Sequence, residues 1–171
     1  DKYAGVPEVA AYLQAAQEDV IVNIDEFRQQ EDGAPEAPGL VGERPFFRRY
    51  VINLLVERGA ETGVPVLYED SPAYQNLAGA MEHIAMMGAL LTDFSLIKAG
   101  ALHRANGGYL LLDAHKVLVQ PFAWEALKRA LRSRELRIEP AERLMGLVST
   151  VSLEPEPIPL DVKVILIGDR T

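Results

Sequence analysis

Gly100-Ala101-Leu102-His103-Arg104-Ala105-Asn106-Gly107-Gly108-Tyr109-Leu110-Leu111-Leu112-Asp113-Ala114 is the stretch on which the fold turns. It reads as a short helix, a tight glycine turn and an apolar strand that stops on a carboxylate. In a parallel sheet the C-terminal ends of the strands open onto the crevice where ligands bind. Residues 162–167 repeat the pattern, since Val162-Lys163-Val164-Ile165-Leu166-Ile167-Gly168-Asp169 is again an apolar strand ending on a carboxylate. The two lie about one strand–helix–strand unit apart, so neighbouring parallel strands would deliver Asp113 and Asp169 to one edge. Asp113 has two readings: a ligand for Mg²⁺ beside nucleotide phosphates, or the cap of the helix that follows.

Composition narrows the field. With 171 residues, 49% hydrophobic and 25% charged, the chain has the size and balance of a globular domain with a sizeable core. Seventeen Lys and Arg against twenty-five Asp and Glu give a net charge of -8, which argues against nonspecific binding to nucleic acid or to anionic membranes. There is no cysteine, hence no disulfide framework, thiolate zinc site or thiol nucleophile. The three histidines are dispersed, which speaks against a resident metal centre. No apolar run reaches the roughly 18 residues of a membrane span and no signal-peptide pattern opens the chain, so a cytoplasmic location is expected. The missing initiator Met, and a stop just beyond 162–167, suggest a piece of a longer protein.

Along the chain, residues 6–30 read as one helix, with Pro7 in its first turn. Val6, Leu13, Val20 and Phe27 recur every seven residues, with Val9, Ala16 and Ile24 between them. The stripe fits a helical hairpin or coiled coil continuing from upstream, and equally an ordinary amphipathic helix packed on the domain. Residues 31–45, rich in Pro, Gly and acid without a periodic apolar face, predict a linker. Strands are predicted over 50–56 and 64–68, then a short helix capped by Ser71, with Pro72 at its first position, through Leu77. Residues 80–94 fit strand or loop. Residues 96–105 predict a helix, 109–113 a buried strand and 121–134 a helix with Trp124, Leu127, Ala130 and Leu131 on one face. Residues 136–139 and 150–153 suit a hairpin, and Glu154-Pro155-Glu156-Pro157-Ile158-Pro159 blocks regular structure before the last strand.

The run Lys98-Ala99-Gly100 through Leu112-Asp113 resembles the Walker B region of Lon-like ATP-dependent proteases. Leu153-Glu154-Pro155-Glu156-Pro157-Ile158-Pro159-Leu160-Asp161, with the strand after it, resembles that family's approach to sensor 1. The similarity spans most of 46–171 and is to the branch with a large helical insertion between Walker A and Walker B. It implies an α/β fold: a partial AAA+, P-loop-NTPase-like parallel sheet core with an N-terminal helical segment. Residues 1–30 would end the inserted region, 31–45 would be a linker, and 46–171 would run from before Walker B to sensor 1 without Walker A. Asp113 takes the Walker B place, as Mg²⁺ ligand and part of the ATP site, and Asp169 the sensor 1 place, where most relatives carry Asn.

The same resemblance puts residues 81–97 at a substrate-gripping pore loop. Met86, Met87, Leu90 and Phe94 are its candidate gripping side chains, since thioether and aromatic groups hold varied polypeptides; plain core packing explains them equally. Residues 139–150 fit a second axial hairpin. The family's Ser–Lys peptidase dyad lies in a downstream domain. None of Ser71, Ser95, Ser133, Ser149 and Ser152 sits in a nucleophile motif, so no catalytic residue is assigned here. The implied parent is a hexameric serine endopeptidase that degrades unfolded or damaged proteins.

Three departures bear on catalysis. Ala114 stands where such motors carry the glutamate that activates water, and a positioned base is worth roughly 10²–10⁴ in rate. Asp169 adds negative charge near the γ-phosphate. No glycine-rich phosphate loop with its Lys occurs in the sequence. The chain alone is therefore expected to hold no cofactor, while the parent would take ATP and Mg²⁺ with weak or lost hydrolysis. His103 and Arg104 suit packing or pairing. Lys128, Arg129, Arg132, Arg134 and Arg137 suit a solvated helix face or a neighbour's nucleotide or acidic surface. Two other classes stay open: a nonenzymatic substrate-binding or chaperone-like module, and a nucleic-acid AAA+ motor, which the acidic charge and the lack of a basic–aromatic stripe disfavour.

Overall fold

The computed structural model describes residues 5–28, 47–59, 63–86, 89–139 and 153–168, with only the backbone of Met86 and of 89–91. Two units are distinguished, Asp1–Ile52 and Asn53–Thr171. The first contains α1 (Pro7–Val22), α2 (Ile24–Arg28) and a 3₁₀ turn over Phe47–Tyr50. The second begins with β1 (Val66–Glu69), α3 (Tyr74–Ala78), β2 (Ala80–Met81), β3 (Ile84–Met86), β4 (Ala89–Leu91), a 3₁₀ turn over Phe94–Leu96, and β5 (Ile97–Lys98). It continues with α4 (Ala101–Arg104), β6 (Tyr109–Asp113), α5 (Ala114–Val119), α6 (Ala123–Ser133), β7 (Glu135–Leu136), β8 (Ile158–Pro159) and β9 (Lys163–Ile167).

The α/β architecture implied by the sequence is observed. β1, β6 and β9 form a parallel sheet in that order, with Leu67, Leu110 and Val164 in one row and Glu69, Leu112 and Leu166 in another. Leu110 and Leu112 are fully buried, in one core with Leu77 of α3, Leu102 of α4 and Leu127 of α6. Alternate residues point to the opposite face. There Val66 is 67% exposed, Tyr68 53%, Ile165 45% and Ile167 48%. The middle strand is sealed on one face by Leu110 and Leu112, whereas on the other face Tyr109 and Leu111 are half-buried and the outer strands are exposed; Leu166, at the outer edge of the packed face, is exposed as well.

The Asn106-Gly107-Gly108 turn sets the strand starts. Gly107 has φ +79, a region that glycine enters at no steric cost, and a Cβ on Gly108 would overlap the Pro65 carbonyl oxygen. That closeness lets Tyr109 N–H donate to Pro65 O at 2.8 Å, while Lys163 N–H donates to Gly108 O at 2.9 Å. Asn106 ties in the segment before β9, its Nδ2 donating to Pro159 O and its Oδ1 accepting from Asp161 N–H, both at 2.8 Å.

Several sequence expectations are corrected. The helix expected over 6–30 is interrupted at Asn23, whose backbone N–H (3.0 Å) and Nδ2 (2.9 Å) both donate to Asp19 O and close α1. No residue of α1 or α2 is buried. Residues 51–59 form no strand; Asn53 Nδ2 instead donates to Phe94 O at 2.8 Å and Ile97 O at 3.0 Å. The helix after β1 starts at Tyr74 rather than Pro72, because Ser71 O is occupied by Ala73 N–H and Asn76 Nδ2, both at 2.8 Å. Within 96–105 only Ala101–Arg104 is α-helical, since Ile97–Lys98 pairs with Ala80–Met81. Leu131, expected on the packed face of its helix, is 40% exposed. Leu136 pairs with Ile158, so two residues of the proline-rich stretch make a short strand after all. Residues 140–152, with the axial hairpin and the 150–153 strand placed largely on them, lie outside the described residues.

Candidate functional site

β6 ends between its neighbours, Leu112 level with Glu69 and Asp113 level with Ile167. Asp113 is half-buried, and its Oδ1 accepts from Lys116 N–H at 2.9 Å, capping α5. The capping reading is therefore realised. It uses one carboxylate oxygen, and Oδ2 has no partner among the described residues. A Cβ on Gly168 would meet Ala114 Cβ at 3.4 Å, which brings the end of β9 against the start of α5. Ala114 offers this edge only a methyl group, where a base would need a carboxylate.

The edge carries charges that the sequence reading missed. Lys116 Nζ donates to Asp70 Oδ1 at 2.5 Å and to Asp70 O at 3.2 Å. The hydrogen bond from Lys116 is the main cause of an Asp70 pKa below the ordinary carboxylate value, and the same bond raises that of Lys116. Lys116 thus joins the ends of β1 and β6 through its main chain on one side and its ammonium on the other. Glu69 turns away from the edge: its Oε2 accepts from Arg104 Nη2 at 3.0 Å and its Oε1 from Ser71 N–H at 3.1 Å. Arg104 is accordingly a pairing residue. Asp70 directly follows a strand and Lys116 sits in the turn after Asp113, but nothing local in the sequence reveals that they meet.

The candidate gripping residues lie on a different element. β2 pairs antiparallel with β5, and β3 with β4 in the register Ile84↔Leu91, Ala85↔Leu90, Met86↔Ala89. Thr92 Oγ1 donates to Glu82 O at 2.9 Å and Glu82 N–H to Leu96 O at 3.0 Å, joining the two ladders into one excursion over 80–98. Met86 closes β3 and Leu90 is the middle residue of β4. Phe94 stands in the returning 3₁₀ turn and is half-buried. Met87 and Asp169 lie outside the described residues.

The excursion is rooted at Gly79 and Gly100, where a Cβ on Gly100 would overlap Gly79 N and Leu77 O. His103 fills that root. It is 5% exposed, and its Nδ1 accepts from Gly100 N–H at 3.2 Å, which puts the ring proton on Nε2. Among the described residues Nε2 has no hydrogen-bond partner, and burial lowers the His103 pKa to about 4.

A parallel sheet that brings one half-buried carboxylate to the C-terminal ends of its strands defines an α/β module, and in open α/β sheets that edge is the general place for a ligand. Residues 62–171 match the family described as LonB-like, AAA domain, and the chain belongs to that family. A search among curated proteins returned no match. An AAA domain suggests binding of a nucleotide with Mg²⁺, and the chemistry of Asp113 is compatible with a part in it. Mg²⁺ is commonly held by one or two carboxylates together with phosphate oxygens and waters, and Asp113 has one oxygen to offer. Among the described residues no group of three or more His, Asp or Glu side chains could hold a metal ion by itself. No helix among them is long and apolar enough to cross a membrane.

Proposed function

We propose that this chain is the Walker B-to-sensor 1 part of a Lon-type ATP-dependent protease that degrades unfolded or damaged proteins, with a nucleotide site weak in hydrolysis. The observation that carries the proposal is Asp113 at the C-terminal edge of the middle strand, opposite Ile167 and one residue beyond the Glu69–Leu112 pair, on a chain of the LonB-like AAA family. Asp113 would hold Mg²⁺ through its free oxygen, with Asp169 beside it after β9. The bound Mg²⁺-nucleotide would supply the phosphoryl chemistry. Ala114 supplies no base to deprotonate a water, and Lys116 fixes the carboxylate's direction through its N–H.

The bare sheet face supports a nucleotide site completed by residues outside this sequence. Parallel sheets are covered on both faces, and right-handed crossovers leading from β1 to β6 to β9 put their helices on one face only. A strand beside β9 whose following helix returned toward β1 would cover Val66, Tyr68, Ile165 and Ile167. It would also place a phosphate-binding turn beside Asp113 and Gly168, where strand order reverses. In this reading 1–30 closes an inserted helical region, 31–45 links it to the module, and the excursion over 80–98 presents Met86, Met87, Leu90 and Phe94 to substrate along the axis of a hexamer in the cytoplasm.

Isothermal titration tests the proposal in a protein joining this chain to a phosphate loop. Mg²⁺-ATP should bind, Asp113→Asn should weaken binding in Mg²⁺ but not in EDTA, and turnover should be slow. Affinity for an unfolded protein such as casein without any nucleotide binding would favour a nonenzymatic holding module, and rapid turnover would refute a weakened site.

A further inference from the structure

Of the four asparagines in the chain, Asn23, Asn53, Asn76 and Asn106, only Asn106 is followed by glycine. That pairing is chemically labile. With no side chain on the next residue, its amide nitrogen can reach the asparagine side-chain carbonyl and attack it. In this fold every group the attack would use is held elsewhere. Gly107 N–H donates to Asp161 O at 2.6 Å. Asn106 Nδ2 donates to Pro159 O and Asp161 N–H donates to Asn106 Oδ1, both at 2.8 Å. Arg58 Nη2 donates to Asn106 O. The partner segment is itself anchored, since Leu160 N–H donates at 2.8 Å to the carbonyl of Arg134, the left-handed residue (φ 55) that closes α6. Burial does not protect the pair, because Asn106 is half-buried and Gly107 is exposed.

We propose that Asn106–Gly107 is a spontaneous modification site that the fold keeps closed, and that its conversion to aspartate or isoaspartate records an opening of the turn. The reaction needs only water. Once Gly107 N and the Asn106 side chain are released, Gly107 N loses its proton and bonds to Asn106 Cγ. The Cγ–Nδ2 bond breaks, ammonia leaves with that proton, and a succinimide ring remains. Water then opens the ring at one of its carbonyl carbons. Attack at Cγ gives aspartate; attack at the main-chain carbonyl gives isoaspartate, with the chain rerouted through the side chain. Either product weakens the turn in which it forms. A carboxylate has no N–H for Pro159 O, so two oxygens face each other where a hydrogen bond stood. Isoaspartate also lengthens the main chain within the turn that sets Tyr109 N–H on Pro65 O and Lys163 N–H on Gly108 O. Opening therefore permits modification, and modification favours further opening. The loss of ammonia makes the change one-way.

Peptide mapping by mass spectrometry tests this on the full chain, incubated at mildly alkaline pH with and without denaturing urea. In urea Asn106 should convert fastest of the four asparagines, to aspartate and isoaspartate that separate chromatographically. In the folded chain its conversion should be slower by roughly tenfold or more, because the open fraction sets the rate. Arg58→Ala removes one tie at the surface, so it should speed the folded-state conversion about two- to fivefold and leave the rate in urea unchanged. Asn106→Asp, which mimics the simple product, should unfold at lower urea than wild type. Equal rates in the folded and unfolded chain overturn the proposal, as does an Asn106 that stays intact in urea. An Asn106→Asp chain as stable as wild type overturns the self-reinforcing step. The rate comparison uses the wild-type chain, so it decides the matter even where that variant fails to fold. Neither result bears on the nucleotide titration, and either reading can fail while the other stands.

Discussion

The two faces of the β1–β6–β9 sheet are built from alternate residues of the same strands, yet their surroundings differ most sharply around the middle strand, Leu166 at the outer edge being exposed on the packed face too. On one, Leu110 and Leu112 are sealed under α3, α4 and α6; on the other, Val66, Tyr68, Ile165 and Ile167 remain in contact with solvent. Apolar composition is alike on both, so patterning along a strand cannot tell them apart. The packed face holds this chain's fold, and the bare face marks where the fold expects more structure. The strand-end edge that carries Asp113 runs along the border between them.

The sharpest way to test that contrast is one deletion on each face. Leu112→Ala should cost about 2–5 kcal/mol in urea unfolding, from lost transfer energy plus the cavity left behind. Ile165→Ala should cost less than about 1 kcal/mol, and equal costs would mean that the bare face is covered in solution.

The packed side also predicts a pH dependence. His103 has its folded pKa lowered to about 4 from an ordinary 6.5 by burial, so its contribution is fully present above pH 6.5. It is lost as pH falls toward 4, because the unfolded chain takes up the proton first. The loss should be on the order of 3 kcal/mol, and His103→Gln should flatten that part of the profile. An unchanged profile would place the ring in water rather than at the root of the 80–98 excursion.

The smallest expected effect concerns α6, whose apolar side is packed and whose cationic side is open. Arg134→Gly should stabilise the isolated chain by about 0.5–1 kcal/mol, since glycine relieves the left-handed backbone. Destabilisation instead would mean that the Arg134 side chain holds the fold together.

Much of the fold was legible because local pattern and final environment agree. Tyr109–Asp113 and Lys163–Ile167 are apolar runs that become the central and outer parallel strands, and Leu127 and Ala130 recur at helical spacing on a buried face. What was not legible depends on partners far along the chain. Ile97–Lys98 looks helical with the residues after it until Ala80–Met81 pairs with it, and Leu136 finds Ile158 across more than twenty residues. At the site, the strand and its terminal Asp113 could be read directly, whereas the Lys116–Asp70 and Arg104–Glu69 pairs could not. Each joins the end of β1 to an element more than thirty residues later, and only the parallel register brings them together.

The central claim is the proposal that this edge, once joined to a phosphate loop, makes a nucleotide site whose hydrolysis is weak because Ala114 supplies no base. ATP turnover with Ala114→Glu, in a protein that joins this chain to a phosphate loop, tests it most directly. The substitution should raise the slow wild-type rate by roughly 10² or more, and adding Asp113→Asn should remove the gain. A wild-type enzyme that already turns over rapidly, and that Ala114→Glu leaves unchanged, would contradict the account.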